Sequence, residues 1–122
     1  MLKYPIAYME DGDIDNKGHI INPKIPINKP VLVMVQAGWC PHCTHAKPAF
    51  QEFANQYKDE VFCATIEADG ERKSEKDLAK RINVIIPDFK GFPDYVLFIN
   101  GKPQSKKVEG RSVIDLEKFV FF

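Results

Sequence analysis

The chain has 122 residues, 44% of them apolar, which is enough for one hydrophobic core and leaves no room for a second domain. Its 17 Lys and Arg balance 17 Asp and Glu, so no net field draws it to nucleic acid or to an acidic membrane surface. No apolar run approaches the roughly 20 residues that span a bilayer, and MLKYPIAYMEDGD lacks the apolar core and small-residue cleavage site of a signal peptide, so the expectation is a cytoplasmic protein.

In chain order, residues 1–30 read as an N-terminal strand and an irregular arm. Pro23, Pro26 and Pro30 deny the arm a helical period, and Asp15-Asn16-Lys17-Gly18 is suited to a turn or hairpin. VLVMV, 31–35, is a continuous β-branched apolar run of the kind that forms a strand buried on both faces. QAGWCPHC follows, and then Ala46, Ala49, Phe50, Phe53, Ala54 and Tyr57 recur at helical spacing, with Pro41 fitted to the first helical turn. A strand at 61–66 completes a βαβ unit with parallel strands. Ser74 is expected to cap a short helix ending at Arg81, with Asp77 as its capping acid. Residues 95–99 form a strand, Asn100-Gly101 turns it towards a last short strand near Val108, and an amphipathic helix runs from Arg111 onward.

Two of the three cysteines, Cys40 and Cys43, lie where the strand turns into the helix. Unpaired N–H groups and the positive end of the helix dipole favour a thiolate there, which points to Cys40 as nucleophile. Cys43, one turn on, faces the same side and can close a disulfide, which makes it the resolving thiol. His42 adds a donor or an imidazolium near the Cys40 sulfur, Pro41 stiffens the turn, and Trp39 offers a flat apolar face to a substrate chain. Such exchange needs no cofactor beyond the Cys40–Cys43 pair.

The strand-WCPHC-helix unit, Pro48 five residues after Cys43, GFPDY before a strand and the NGK turn together resemble the thioredoxin superfamily over roughly residues 31–122. The resemblance implies an α/β fold with a central mixed sheet flanked by helices, the usual first helix being replaced here by the irregular arm. It implies that Cys40 attacks and Cys43 resolves, that Pro93 is a cis-proline beside the pair, that Phe92 meets the substrate backbone, and that Pro48 kinks the helix. Pro-His between the cysteines is similar to bacterial periplasmic disulfide-donating oxidases, without their helical insertion; GFP and NGK are closer to protein disulfide isomerase or thioredoxin. The glutathione-binding pattern of glutaredoxins is not seen after Pro93. Met34 stands where many members bury an acid six residues before the first cysteine, and Thr65 near where its lysine partner often lies. Removing that anion favours the Cys40 thiolate and leaves Cys43 without an evident base. NVIIPDFKGFP is longer than usual ahead of the proline.

The expected activity is thiol–disulfide exchange with protein substrates, more oxidising than thioredoxin, by a monomer recycled by a reductase or oxidase. The alternative is a non-catalytic binding module that recognises a partner through Trp39, Phe92 and the arm. A zinc site from Cys40, Cys43, His42 or His45, and His19 is disfavoured because adjacent helical residues face different ways and no second ligand pair exists; a shared iron–sulfur cluster is disfavoured likewise. Cys63 in VFCATI reads as a small core hydrophobe. DGDIDNKG alternates carboxylates like a calcium loop but lacks its glycine and closing acid, so a solvated turn is preferred. His45 reads as surface, and Phe119, Phe121 and Phe122 as closure of the core.

Overall fold

The computed structural model describes residues 1–122. Five strands form one mixed sheet: β1 (Ala7–Tyr8), β2 (Val31–Gln36), β3 (Phe62–Glu67), β4 (Asp94–Ile99) and β5 (Lys102–Pro103), in the order β1-β3-β2-β4-β5. β1 and β2 both run parallel to β3, whereas β4 runs antiparallel to β2 and to β5. The helices are α1 (Pro41–Gln56), α2 (Lys73–Lys80) and α3 (Val113–Phe121).

The apolar run in β2 is buried throughout because it is the central strand and both its faces are covered. Alternation then sorts its side chains. Leu32 and Met34 pack under α1 and α3 with Phe50, Phe53, Tyr95, Leu116 and Phe119. Val31, Val33 and Val35 face the other way, towards Leu78 of α2, Ile82, Ile85 and Ile86. The arm contributes Met9, Ile14, Ile20 and Ile25 to that second layer. An irregular segment therefore covers the sheet with its own apolar side chains, at about 1.5–3 kcal/mol for each one fully buried.

The arm's polar groups are satisfied locally. Ile14 and Ile20 form an antiparallel bridge. Asp15 accepts the N–H groups of Lys17 and His19 at 2.9 and 2.8 Å, and Gly18 takes a φ of 81°. Asp13 accepts from Glu10 and Asn22, each at 2.8 Å. Arg81 clamps the arm to the end of α2: Nε donates to Asp11 at 2.6 Å, and the terminal nitrogens donate to the carbonyls of Asp15, Asp11 and Ile14 at 3.1, 2.9 and 2.6 Å. Removing it strands those acceptors. Arg81→Ala is expected to cost about 2–4 kcal/mol, read as a lowered urea midpoint; an unchanged midpoint would show that the arm is held by its isoleucines alone.

Two sequence expectations are corrected. The last strand lies at Lys102–Pro103 and not near Val108, because Asn100 and Gly101, with φ of 53° and 77°, make a two-residue hairpin turn that pairs the very next residues. Val108 packs on the core from a loop. The short helix starts at Lys73, and its acid is Glu75 rather than Asp77: Glu75 Oε2 accepts the Arg72 N–H at 3.1 Å. Ser74 is not its cap; its hydroxyl donates to Glu10 in the arm at 2.5 Å.

Candidate active site

β2 ends at Gln36, and Ala37, Gly38 and Trp39 lead into α1. Asp69, just past β3, holds that loop by accepting the Gly38 N–H at 2.8 Å. Cys40 is the N-cap of α1, and its sulfur accepts the Cys43 N–H at 3.3 Å. Pro41 occupies the first helical position, where no N–H is needed. Pro48 lies inside α1 and supplies no N–H to the preceding turn.

Ala37, Cys40 and Cys43 form a small cluster of their own, with Ala68 and Phe92 against it. Both thiols are free, and they hydrogen-bond each other. Cys43 is fully buried while Cys40 keeps 4% of its surface, so only Cys40 can be reached from outside. Their acidities diverge. Burial pushes the Cys40 thiol up, but the Cys43 thiol, the backbone N–H groups of Cys43 and His42 and the Arg111 charge outweigh it, and the net shift is downward. Burial, then the hydrogen bond with Cys40, drives the Cys43 thiol up to about 11 despite the Ala37 N–H and Lys47.

Trp39 is two-thirds exposed and meets the Phe92 ring edge-on at 5.5 Å; Phe92 meets Phe89 in the same manner at 5.3 Å. An aromatic row thus runs from the cysteines into the long segment ahead of β4. The Phe92–Pro93 peptide is cis, and the Phe92 carbonyl accepts from Cys40 Sγ at 3.8 Å.

The structure brings Trp39, Cys40, Cys43 and Phe92 together. His42 and His45 are both exposed, and His42 acts on Cys40 through its backbone N–H, its ring making no hydrogen bond. His19 lies in the arm beside Asp15. Cys63 sits in the larger core away from the pair, where burial raises its thiol to about 12. Two participants were not singled out in the sequence. Arg111, ahead of α3, acts on Cys40 from 71 residues away, and Gln36 reads as a strand terminus until the strands are registered. An arginine beside a helix cap carries no local signal for the first; a polar residue ending an otherwise apolar strand is a signal for the second.

The chain belongs to the thioredoxin family, whose model matches residues 19–121. A thioredoxin-like protein of Invertebrate iridescent virus 6 is 41% identical over an alignment of 109 residues that covers 80% of this chain and 78% of that one. Protein disulfide isomerase-like 2-2 of Oryza sativa subsp. japonica is 34% identical over 96 residues, 76% of this chain but only 24% of the plant protein. The fold is also that of the first thioredoxin domain of mouse protein disulfide-isomerase A4, with a TM-score of 0.69 at 19% identity over 98% of this chain and 76% of that domain. No helix is long and apolar enough to cross a membrane.

Proposed function

We propose that the protein is a thiol–disulfide oxidoreductase acting on protein substrates. The observation that carries this reading is the pairing of a reachable, acidified Cys40 thiol with a buried, reluctant Cys43 thiol in mutual contact. The Cys40 thiolate attacks a substrate disulfide, forming a mixed disulfide and releasing one substrate thiolate. Cys43 then attacks Cys40 Sγ, closing the Cys40–Cys43 disulfide and releasing the second. In reverse the same steps donate a disulfide.

Trp39 and Phe92 provide the apolar contact for an extended substrate segment, with Pro93 beside it, and a reductase or oxidase resets the pair. Stabilising the Cys40 thiolate stabilises the dithiol form, so the couple is expected to be more oxidising than thioredoxin. Its proposed compartment is the cytoplasm, where three cysteines without a disulfide are ordinary. The exposed Trp39 favours one competing reading, a binding module that engages a partner through the same aromatic surface without turnover.

Trp39 is the only tryptophan and adjoins Cys40. Its fluorescence in glutathione buffers, with Cys63→Ala as background, is expected to show a reversible two-electron transition with a midpoint above about −270 mV. Absence of a transition, with partner affinity kept in Cys40→Ser, Cys43→Ser, would favour the binding module.

A further inference from the structure

Resolving a mixed disulfide requires a Cys43 thiolate, and burial opposes one. The thiol is hydrogen-bonded only to Cys40 and the Ala37 N–H, neither of which can take its proton away. The residue before Ala37 is Gln36, fully buried. It follows Leu32 and Met34 in steps of two and so shares their sheet face, the one covered by α1.

Gln36 Nε2 donates to Thr65 Oγ1 at 3.2 Å and to Glu67 Oε2 at 3.4 Å, and the Thr65 hydroxyl passes on to the Met34 carbonyl at 2.8 Å. The other end of the amide is different: Gln36 Oε1 is buried and has no partner. Proteins leave few buried acceptors unsatisfied, and each is a place for a donor. Glu67, half-buried at the end of β3, makes no ion pair and lines a cavity of about 700 Å³ with Gly38, Thr44, Lys47 and Pro48. One amide on the α1 side of the sheet therefore carries an unsatisfied acceptor at one end and, at the other, holds a carboxylate that lines an open cavity.

We propose that Gln36 and Glu67 form the proton exit of Cys43, the thiol proton crossing a water held on Gln36 Oε1 to reach the Glu67 carboxylate. This deepens the oxidoreductase reading and rests on it. With Cys40 joined to a substrate sulfur, Cys43 gives its proton to Glu67. The Cys43 electron pair makes the bond to Cys40 Sγ, the bond from Cys40 to the substrate breaks, and the leaving sulfur takes a proton from solvent. The two cysteines are oxidised as the substrate disulfide is reduced, and Glu67 returns its proton through the cavity. The charged and titratable groups around Glu67 are Lys3 of the N-terminal segment, Tyr8 of β1, Lys47 of α1, and Glu71, Arg72 and Glu75 at α2. Arg72 engages Glu75 at 2.9 Å, so Lys3 and Lys47 are the cations left to line the cavity with Glu67.

Stopped-flow mixing of the reduced protein with oxidised glutathione, followed by Trp39 fluorescence, separates attack by Cys40, which scales with glutathione, from resolution by Cys43, which does not. At pH 7, Glu67→Gln and Gln36→Leu are expected to slow resolution at least about a hundredfold, the low end for a lost proton acceptor, with attack unchanged. Resolution in the variants should rise about tenfold per pH unit up to the Cys43 titration, and more steeply than in the parent. Gln36→Glu is expected to restore resolution in the Glu67→Gln background. Unaltered resolution in Glu67→Gln overturns the proposal, as does an equal loss in both phases, which marks a structural role. Absence of the attack phase in the parent protein defeats the oxidoreductase reading itself and is seen in a different signal.

Discussion

Iodoacetamide at pH 7 is expected to alkylate Cys40 at least about a hundred times faster than Cys43. The thiolate is the reacting species, and each pH unit below a thiol's pKa costs about tenfold in its population. With Cys43 held near 11, about one molecule in ten thousand carries that thiolate at pH 7. Cys40 lies below the ordinary 9.0, so its fraction exceeds about one in a hundred. Geometry adds to the difference, because Cys43 has no accessible surface. The pH profile should show Cys40 reaching its plateau earlier than a free thiol, and Cys43 rising only as the pH nears 11. In the same chemistry, Cys43→Ser is expected to accumulate mixed disulfides on Cys40, and Cys40→Ser to form none. Mass spectrometry of the alkylated peptides reads both sites. Equal labelling would mean that Cys40 is an ordinary thiol and that its hydrogen bonds with Cys43 and His42 and the Arg111 charge do not acidify it.

The second large effect lies in the core. Cys63 is 3% exposed, and burial lifts its thiol from 9.0 to about 12. A folded pKa above the unfolded one leaves stability intact below pH 9; above it the unfolded chain ionises first, and stability falls until the folded thiol also titrates. Three units at about 1.4 kcal/mol each give a loss of about 4 kcal/mol by pH 12. Other groups titrate in this window, so the informative quantity is the difference from Cys63→Ala. The variant should be less stable at pH 8 for want of packing and should gain on the parent by about 2 kcal/mol between pH 9 and pH 11. Urea unfolding at these pH values tests it, and a gap that stays constant with pH would place the Cys63 sulfur in contact with water.

Much of the architecture is legible in the residues because it follows from local rules. VLVMV is a central strand because five consecutive apolar residues suit burial on two faces. Pro41 after Cys40 starts a helix, and Asn100-Gly101 makes a hairpin. The last strand was misplaced because Val108 looks like strand material, whereas a two-residue turn pairs the residues next to it whatever their hydropathy. Ser74 is a good cap by composition, yet its hydroxyl is claimed by Glu10, 64 residues earlier, and no helix-start rule contains that partner. The site divides in the same way. Cys40, Cys43 and Trp39 are adjacent in sequence and legible. Gln36 meets Glu67 only through the register of β2 with β3, and the Arg111 charge reaches Cys40 only through the placing of the segment ahead of α3.

The cysteines do not share the packing of either large apolar layer; with Ala37 they occupy a separate pocket closed by Ala68 and Phe92. Making or breaking one bond there is expected to rearrange a few atoms at the rim, while the valines and phenylalanines of the two large layers keep their neighbours. Pro41 and His42, both exposed, border this pocket without filling it. In the proposed oxidoreductase, exchange of the two residues between the cysteines is therefore expected to set a new potential with no repacking of the scaffold beneath them.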